Sequence, residues 1–168
     1  MAPLPPDPAP MPIVDWSGQT ILSVRECEFL LGRVPVGRIA FLHDGMPRIL
    51  PVNFVYRPGE VLFRTGVGSK LEIAIMERPV CFEVDGWDAI EHVGWSVVVS
   101  GSASTVDDEA RLASFAHLAL RPWSTPAVRH RWVEIRADEI TGRRVGPDQH
   151  ALATFVDPRT SESARDIS

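Results

Sequence analysis

The chain has 168 residues, of which 45% are apolar and 23% charged, a composition that fits one domain with a hydrophobic core. Its formal charge of -5 argues against a general nucleic-acid binder, because neutralising phosphates requires a basic surface. No apolar run approaches the length of a membrane span, and Met1 to Pro12 lacks the basic start and apolar centre of a secretory signal. We therefore expect a globular, cytoplasmic protein.

Composition divides the chain into three segments. Residues 1–18 form a proline-rich lead-in that we expect to be extended and disordered. Residues 19–146 carry the periodic apolar patterns of a single domain. Residues 147–168 form a C-terminal extension in which the pattern fades, and we expect it to be partly disordered.

The predicted elements begin with a helix at Ser23, where Ser23 and Glu26 form a capping-box pattern and Gly32 can end the helix. A second helix is predicted over 69–76, and a third begins at the Thr105-x-x-Asp108 pattern. Six strands are predicted, over 36–41, 48–56, 61–65, 79–85, 94–106 and 132–140. Strands in hairpin order with three short helices favour a mainly β fold, an antiparallel barrel.

Three local signals refine these strands. Asp44-Gly45 predicts a hairpin turn between the first two strands. Pro51 lacks a backbone N–H, so it suggests an edge position or a bulge in its strand. Gly101 interrupts the long fifth strand and suggests a bulge or a close approach of another backbone.

The two cysteines, Cys27 and Cys81, stand in apolar surroundings and form no CxxC pattern. We interpret them as buried thiols of a cytoplasmic protein rather than as a disulfide or a metal-binding pair.

The segment from Phe63 to Leu71 is the leading candidate for a ligand site. Arg64 and Lys70 supply positive charge, Thr65 and Ser69 supply hydroxyl donors, and two glycines allow close backbone approach. A helix that starts near Ser69 would aim its first N–H groups at the same space. The segment suits a phosphate monoester, although an ordinary loop with surface charges is the simpler alternative, and the spacing is not that of a P-loop.

Two further groups contain candidate residues. Asn53 interrupts an apolar strand and shares a face with Pro51, so its amide needs a partner, either a structural hydrogen bond or a ligand. Trp95 could belong to the core or could cover an aromatic ligand, with Ser96 beside it as a donor. The five tryptophans of the chain fit either planar-ligand stacking or a subunit interface.

An acidic cluster gives a weaker signal for a metal site. It consists of Glu83, Asp85, Asp88, Glu91 and His92, with Glu83 and Asp85 on one strand face. No spacing matches a known metal motif, and a solvated hairpin end explains the cluster as well, so we predict no metal.

The order of the motifs resembles that of the pyridoxamine 5′-phosphate oxidase-like flavin proteins, in a branch similar to the nitroimidazole-resistance proteins. The similarity covers roughly residues 20 to 145. The motifs that carry it are Gly37-Arg38-Ile39-Ala40-Phe41, Pro51-Val52-Asn53-Phe54, Phe63-Arg64-Thr65 with Gly68-Ser69-Lys70, Val80-Cys81-Phe82-Glu83-Val84-Asp85, and Gly94-Trp95-Ser96 up to Gly101.

This resemblance implies a six-stranded antiparallel split barrel of the FMN-binding type, and a homodimer with two FMN sites at the interface. Pro51, Val52 and Asn53 would lie along the isoalloxazine ring. The resemblance further implies that the strand residues Phe63, Arg64 and Thr65 run from the ring edge to the phosphate, and that Ser69 and Lys70 hold the phosphate. Ser96, next to Trp95, stands where the oxidase branch has a Gln that touches the flavin.

Departures from the oxidase branch limit the functional prediction. Ser69 and Lys70 replace a basic pair, Asn53 replaces a strand Lys, and the residues that grip pyridoxal phosphate have no counterpart, so we do not expect true pyridoxamine-phosphate oxidase activity. The resemblance implies an FMN-dependent oxidoreductase acting on a small organic acceptor, with no catalytic residue assigned. The alternatives are a non-enzymatic flavin, deazaflavin or haem carrier, with His92 as the nearest axial ligand for haem, and a barrel that has lost its cofactor and serves as an interaction module.

Overall fold

The structure is a computed structural model that describes residues 13–67, 71, 75–118, 120 and 130–146. The predictions for residues 1–12, Ser69, Lys70 and 147–168 lie outside the described residues. Two helices have both ends within the described residues, α1 (Val24–Leu31) and α2 (Glu109–Ser114), and neither has the length and apolarity needed to cross a membrane. Leu71 and Ile75, inside the helix predicted over 69–76, are also helical. The strands are β1 (Thr20–Ile21), β2 (Val36–His43), β3 (Met46–Arg57), β4 (Glu60–Gly66), β5 (Arg78–Asp88), β6 (Val93–Thr105) and β7 (His130–Val145).

The strands form a closed antiparallel barrel. The sheet order is β1-β7-β4-β3-β2-β5-β6, and β6 also pairs with β7, which closes the ring formed by β2 to β7. The six strands of this ring are the six predicted from the sequence, and the mainly β barrel is confirmed. The two-residue strand β1 was not predicted; it adds to β7 outside the ring, with Thr20 opposite Arg144.

The interior of the barrel is filled by the alternate residues of each strand. On β5, Val80, Phe82 and Val84 are buried, and the residues between them point outward. Phe54 of β3 meets Phe82 edge-on, with the ring centroids 4.7 Å apart. This barrel core explains why the alternation in the sequence predicts the strands well.

The turn and edge signals of the sequence are confirmed. Asp44 and Gly45 both have positive φ in the turn between β2 and β3. Strand β3 pairs with β2 along most of its length, but it pairs with β4 only from Phe54 to Arg57. Pro51 therefore lies on a stretch of β3 that has no partner in β4, where its missing N–H costs no ladder hydrogen bond. We call this divergence of β3 from β4 the split.

Helix α1 is capped as predicted and is tied to β7. The side chain of Ser23 accepts a hydrogen bond from the N–H of Glu26, and the carboxylate of Glu26 accepts from the backbone N–H of Ser23. Arg144 donates to the same carboxylate at 3.4 Å. Partial burial acts to raise the pKa of Glu26, but the hydrogen bonds from Ser23 and the charge of Arg144 outweigh it, so that pKa is lowered.

Helix α2 begins later than predicted. Asp108 is the N-cap and accepts from the N–H of Arg111, whereas Thr105 is the last residue of β6 and donates to Asp107. The prediction of a helix start at Thr105 was wrong, because pairing with Val133 keeps this residue in the β6–β7 ladder.

The bulge predicted at Gly101 is confirmed. The register of β6 against β7 shifts between Ser100 and Gly101, and a Cβ on Gly101 would lie 2.0 Å from the carbonyl oxygen of Arg136. Only a residue without a side chain allows this approach of the two backbones.

The two cysteines are free but differ in exposure. Cys27, on the inner face of α1, is fully buried, and burial raises the pKa of its thiol. Cys81 is exposed, which corrects the prediction that both thiols are buried. The alternation of β5 explains the correction, because Cys81 lies between the inward-facing Val80 and Phe82.

Candidate functional site

The split brings two of the predicted groups to opposite sides of one opening. Phe54 and Phe63 form the last paired position of β3 and β4 on this side, and the two strands then diverge. Asn53 therefore begins one edge of the split and Arg64 begins the other. Val52 and Asn53 are half-buried, while Pro51 is exposed opposite Arg38 of β2.

Arg64 is the most informative residue at the split. Its guanidinium carbon lies 5.6 Å from the ring centroid of Trp132, the residue opposite it on β7. Its Nε atom is buried and has no hydrogen-bond partner within the described part of the chain. A buried donor of a fixed cation is suited to an anionic oxygen, so this side of the split fits a phosphate group.

The neighbours of Arg64 on β4 face the interior. Phe63 is fully buried in the core, and Thr65 is 7% exposed to solvent. The side chain of Phe63 thus serves the core, and a ligand at the split could reach only its backbone. Ser69 and Lys70, which complete the predicted phosphate loop, lie outside the described residues, although Leu71 just after them contacts the core.

Trp95 and Ser96, on β6, lie away from the split. Only β7 separates β4 from β6 in the closed ring, but Arg64 lies opposite Trp132 near the start of β7 and Ser96 lies opposite Arg143 near its end. The two residues therefore belong to separate regions of one protomer. Trp95 is 7% exposed and stacks over Gly86 of β5, where a Cβ would lie 2.6 Å from the indole Nε1. A cavity of about 330 Å³ opens beside these two residues. Its walls are Gln19, Glu83, Asp85, Gly86, Trp87, Trp95, Ser96, Arg143 and Val145.

Two carboxylates in the walls of this cavity share one arginine, Arg38. Glu83 and Asp85 share the outward face of β5, as the alternation predicts, and Nη1 of Arg38 donates to both carboxylates, at 3.1 and 2.8 Å. Burial and the charge of Asp85 raise the pKa of Glu83 despite the partly opposing effect of Arg38. In the described ranges no group of three or more His, Cys, Asp or Glu residues could hold a metal ion.

A second cavity, of about 480 Å³, was not foreseen from the sequence. It lies on the outer face of the β2–β3 hairpin and of β5 and β6, with Arg48, Cys81 and Ser100 in its walls. Arg48 is exposed on β3. The signal that could have found this cavity is the row of outward-facing apolar residues on β2 and β3, such as Leu42 and Ile49.

Comparison with known proteins assigns the family. The family model for pyridoxamine 5′-phosphate oxidase matches residues 23–144, and the chain belongs to this family. The uncharacterized protein Rv0080 of Mycobacterium tuberculosis is 35% identical over 124 residues, which are 71% of this chain and 80% of that protein. A solved structure from Mycobacterium smegmatis, named an FAD-binding protein, is 44% identical, with a TM-score of 0.67, over 75% of this chain and 99% of that one.

The resemblance to the nitroimidazole-resistance branch is matched in the fold. A structure from Bacteroides thetaiotaomicron, which carries the name of a 5-nitroimidazole antibiotic resistance protein, aligns with a TM-score of 0.57. It is 18% identical and covers 76% of this chain and 89% of that one, and at this identity the likeness shows the shared split-barrel fold alone.

Proposed function

We propose that this protein binds a flavin nucleotide and is an oxidoreductase acting on a small organic acceptor. Membership of the pyridoxamine 5′-phosphate oxidase family supports a flavin, as does the name of the 44% identical protein from Mycobacterium smegmatis. A bound flavin would supply the electron or hydride transfer, while the protein binds and orients it. The sequence favours FMN, and the name of that relative favours FAD; the two share the phosphate next to the ribityl chain.

The observation that carries the proposal is Arg64 at the split. It combines a fixed positive charge, a buried Nε donor with no partner in the described residues, and a fixed orientation over Trp132. These properties suit the phosphate end of a flavin nucleotide, with Thr65 on the same strand and Ser69 and Lys70 following it in the sequence. Pro51, Val52 and Asn53 stand across the split, where they would line the ring system.

We also propose that the working unit is a homodimer. Trp95 and Ser96 pair near the end of β7 and Arg64 pairs near its start, so a flavin that touches both groups needs a second copy to bring them together. The outer face of the β2–β3 hairpin supports such an interface, because apolar side chains cluster on it. These side chains are Val36, Leu42 and Ile49, which are 38–66% exposed.

The dimer is tested with one substitution and light scattering. Size-exclusion chromatography with light scattering should give twice the chain mass at micromolar concentration. Ile49→Glu should shift the protein towards the monomer, because it places a charge in the proposed apolar contact, whereas Glu139→Gln on the exposed side of β7 should leave the mass unchanged. A monomeric wild-type protein contradicts this part of the proposal.

A second candidate is a non-enzymatic flavin carrier. The predicted contacts are apolar, amide or hydroxyl side chains and the two fixed cations Arg64 and Lys70, which hold a cofactor but supply no proton near neutral pH. A haem carrier is less well supported, because His92 is exposed in the turn between β5 and β6. Reduction of the bound flavin followed by rapid oxidation with a nitroaromatic or quinone supports the oxidoreductase, and tight flavin without turnover supports the carrier.

The first experiment is the absorption spectrum of the purified protein, with mass spectrometry of the released compound. Flavin absorption supports the proposal, and the mass separates FMN from FAD and from a deazaflavin. A Soret band points to haem. A colourless protein that takes up neither FMN nor FAD rules the proposal out.

The second experiment tests the phosphate contact. Arg64→Ala and Lys70→Ala should each weaken FMN much more than riboflavin, which lacks the phosphate. Loss of one charge-assisted hydrogen bond costs on the order of 1.5–3 kcal/mol, or about 10- to 150-fold in affinity. Arg25→Ala, on the exposed face of α1, is the matched control for removing one positive charge. Equal weakening of both ligands would exclude a phosphate role for the residue.

A cytoplasmic location stays a proposal, supported by the free thiols of Cys27 and Cys81. Recovery of the native protein from the cytoplasmic fraction of its host would support it, and recovery outside the cell would contradict it.

A further inference from the structure

Trp132 contacts the guanidinium of Arg64 from the neighbouring strand. The two residues are directly opposite each other in the β4–β7 ladder, and the guanidinium carbon is 5.6 Å from the ring centroid. Opposed residues of an antiparallel pair share one face of the sheet, so the indole stays beside the arginine wherever the two strands pair. The ring therefore limits the directions in which the arginine side chain can point.

Trp132 is itself held in place by a small second core. It packs against a buried cluster of Leu62, Val106 and Phe115, and its ring centroid is 5.1 Å from that of Phe115 at an angle of 54°. Phe115 is 1% exposed. A ring fixed by buried neighbours forms a rigid surface against which a flexible side chain can be ordered.

The support extends to a network of charges. The guanidinium groups of Arg57 and Arg111 each lie 5.7 Å from the centroid of Phe115. Arg111 in turn forms ion pairs with Glu60 and with the buried Glu134. A continuous series of contacts thus links the buried carboxylate of Glu134 to Arg64. It passes through Arg111, Phe115 and Trp132, and each group restricts the position of the next.

From these contacts we propose that Trp132 is a positioning residue for Arg64. It holds the guanidinium in the orientation in which the buried Nε donor and the outer N–H groups can donate to a ligand phosphate. Little side-chain conformational entropy is then lost on binding. This inference rests on the proposed flavin function and adds a residue that the sequence did not mark as part of the site. An unrestrained arginine loses rotamer freedom when it binds, so removal of the ring should weaken a phosphate ligand by about 3- to 10-fold.

The test compares Trp132→Met, which keeps apolar bulk without a ring, with Trp132→Phe, which keeps a ring. Isothermal titration should show FMN binding 3- to 10-fold weaker in Trp132→Met and near wild type in Trp132→Phe, with riboflavin changed less than twofold in both. Trp16→Met removes an indole that is 98% exposed and lines neither cavity, and it should change neither ligand. Equal losses for FMN and riboflavin, or an unchanged FMN affinity, would overturn the inference.

A double-mutant cycle checks that Trp132 acts through Arg64. In the Arg64→Ala background, Trp132→Met should cause no further change in the ratio of FMN to riboflavin affinity. If the two losses multiply, Trp132 acts by another route and the inference is wrong.

A readout that needs no flavin separates this inference from the proposed function. In the ¹⁵N NMR spectrum of the wild-type protein, the Arg64 Nε–H should show an upfield ring-current shift relative to that of Arg25. It should also show a higher heteronuclear NOE than Arg25, because its motion on the ps–ns timescale is restricted. The shift should disappear in Trp132→Met and persist in Trp132→Phe, and inorganic pyrophosphate should perturb the wild-type signal. A wild-type Arg64 signal like that of Arg25 overturns the inference even if the Met variant fails to fold. A protein that shows the shift and binds no flavin refutes the proposed function alone.

Discussion

Replacement of Arg111 by methionine should destabilise the fold through a buried carboxylate. The side chain of Glu134 is 7% exposed and is bound by Arg111 of α2, by Ser104 of β6 at 3.1 Å and by Arg136 at 3.4 Å. Arg111 also pairs with Glu60 of β4. It therefore joins α2 to two strands of the barrel, and it provides the main compensating charge for Glu134.

The size of the effect follows from what remains after the substitution. Removal of one partner from a fully buried ion pair costs about 3–5 kcal/mol, whereas an exposed pair contributes about 0–1 kcal/mol. Arg111 is 38% exposed, and Ser104 and Arg136 remain to solvate the carboxylate of Glu134. We therefore expect Arg111→Met to lower the free energy of unfolding by about 2 kcal/mol.

The assay is urea unfolding followed by tryptophan fluorescence and circular dichroism, at several protein concentrations because dimerisation contributes to apparent stability. The control is the double variant Arg111→Met with Glu134→Gln, in which the amide needs no counter-charge. Its free energy of unfolding should lie closer to wild type than the sum of the two single effects, with a coupling of about 1–2 kcal/mol. A loss below about 0.5 kcal/mol for Arg111→Met, or strictly additive effects, would refute the reasoning.

Three further predictions concern the fold. Gly101→Ala should lower the free energy of unfolding by about 3 kcal/mol, because its Cβ would lie 2.0 Å from the carbonyl oxygen of Arg136. Gly45→Ala meets no atom but keeps a φ of +74°, so it should lower the same quantity by about 1 kcal/mol. Similar losses for the two variants in chemical denaturation would contradict the steric argument. Tyr56→Phe should cost about 1–2 kcal/mol in the same assay, because the phenol donates to Glu28 at 2.8 Å and accepts from a backbone N–H, and an unchanged midpoint would show that neither bond contributes. The folded-state pKa of Glu26 is lowered, so its contribution to stability is present above the unfolded value of about 4.5 and is lost as the pH falls further. Glu26→Gln should therefore be less stable than wild type at pH 7, with a difference that shrinks below pH 4.5. A difference in stability that grew as the pH fell below 4.5 would contradict the direction of the pKa shift.

The features that the sequence predicted well depend on nearby residues. The cap at Ser23, the turn at Asp44-Gly45 and the bulge at Gly101 each follow from the chemistry of a few adjacent positions. The helix start at Thr105 was wrong for the opposite reason, because a distant partner, Val133 of β7, keeps that residue in a strand. The exposure of Cys81 could have been predicted from the alternation that places Glu83 and Asp85 on the outer face of β5.

The residues of the candidate site also differ in whether nearby or distant parts of the chain determine them. Arg64, Thr65, Ser69 and Lys70 could be selected from the sequence because they are close together in the chain and have the chemistry of a phosphate site. Trp132 could not be selected, since 68 positions separate it from Arg64 and only the β4–β7 register brings the two side chains together.

By itself, the sequence determined the class of fold, the strands that form it and the segment that suits a phosphate. Alternation, capping and turn chemistry act over a few residues, so a single chain displays them without an alignment or a structure. Only the tertiary structure decided that β6 closes on β7, that β3 leaves β4 beyond Phe54 to open the split, and that Ser96 stands apart from Arg64 in one protomer. These depend on pairings between distant strands, and register between distant strands is set by the whole core rather than by any local pattern.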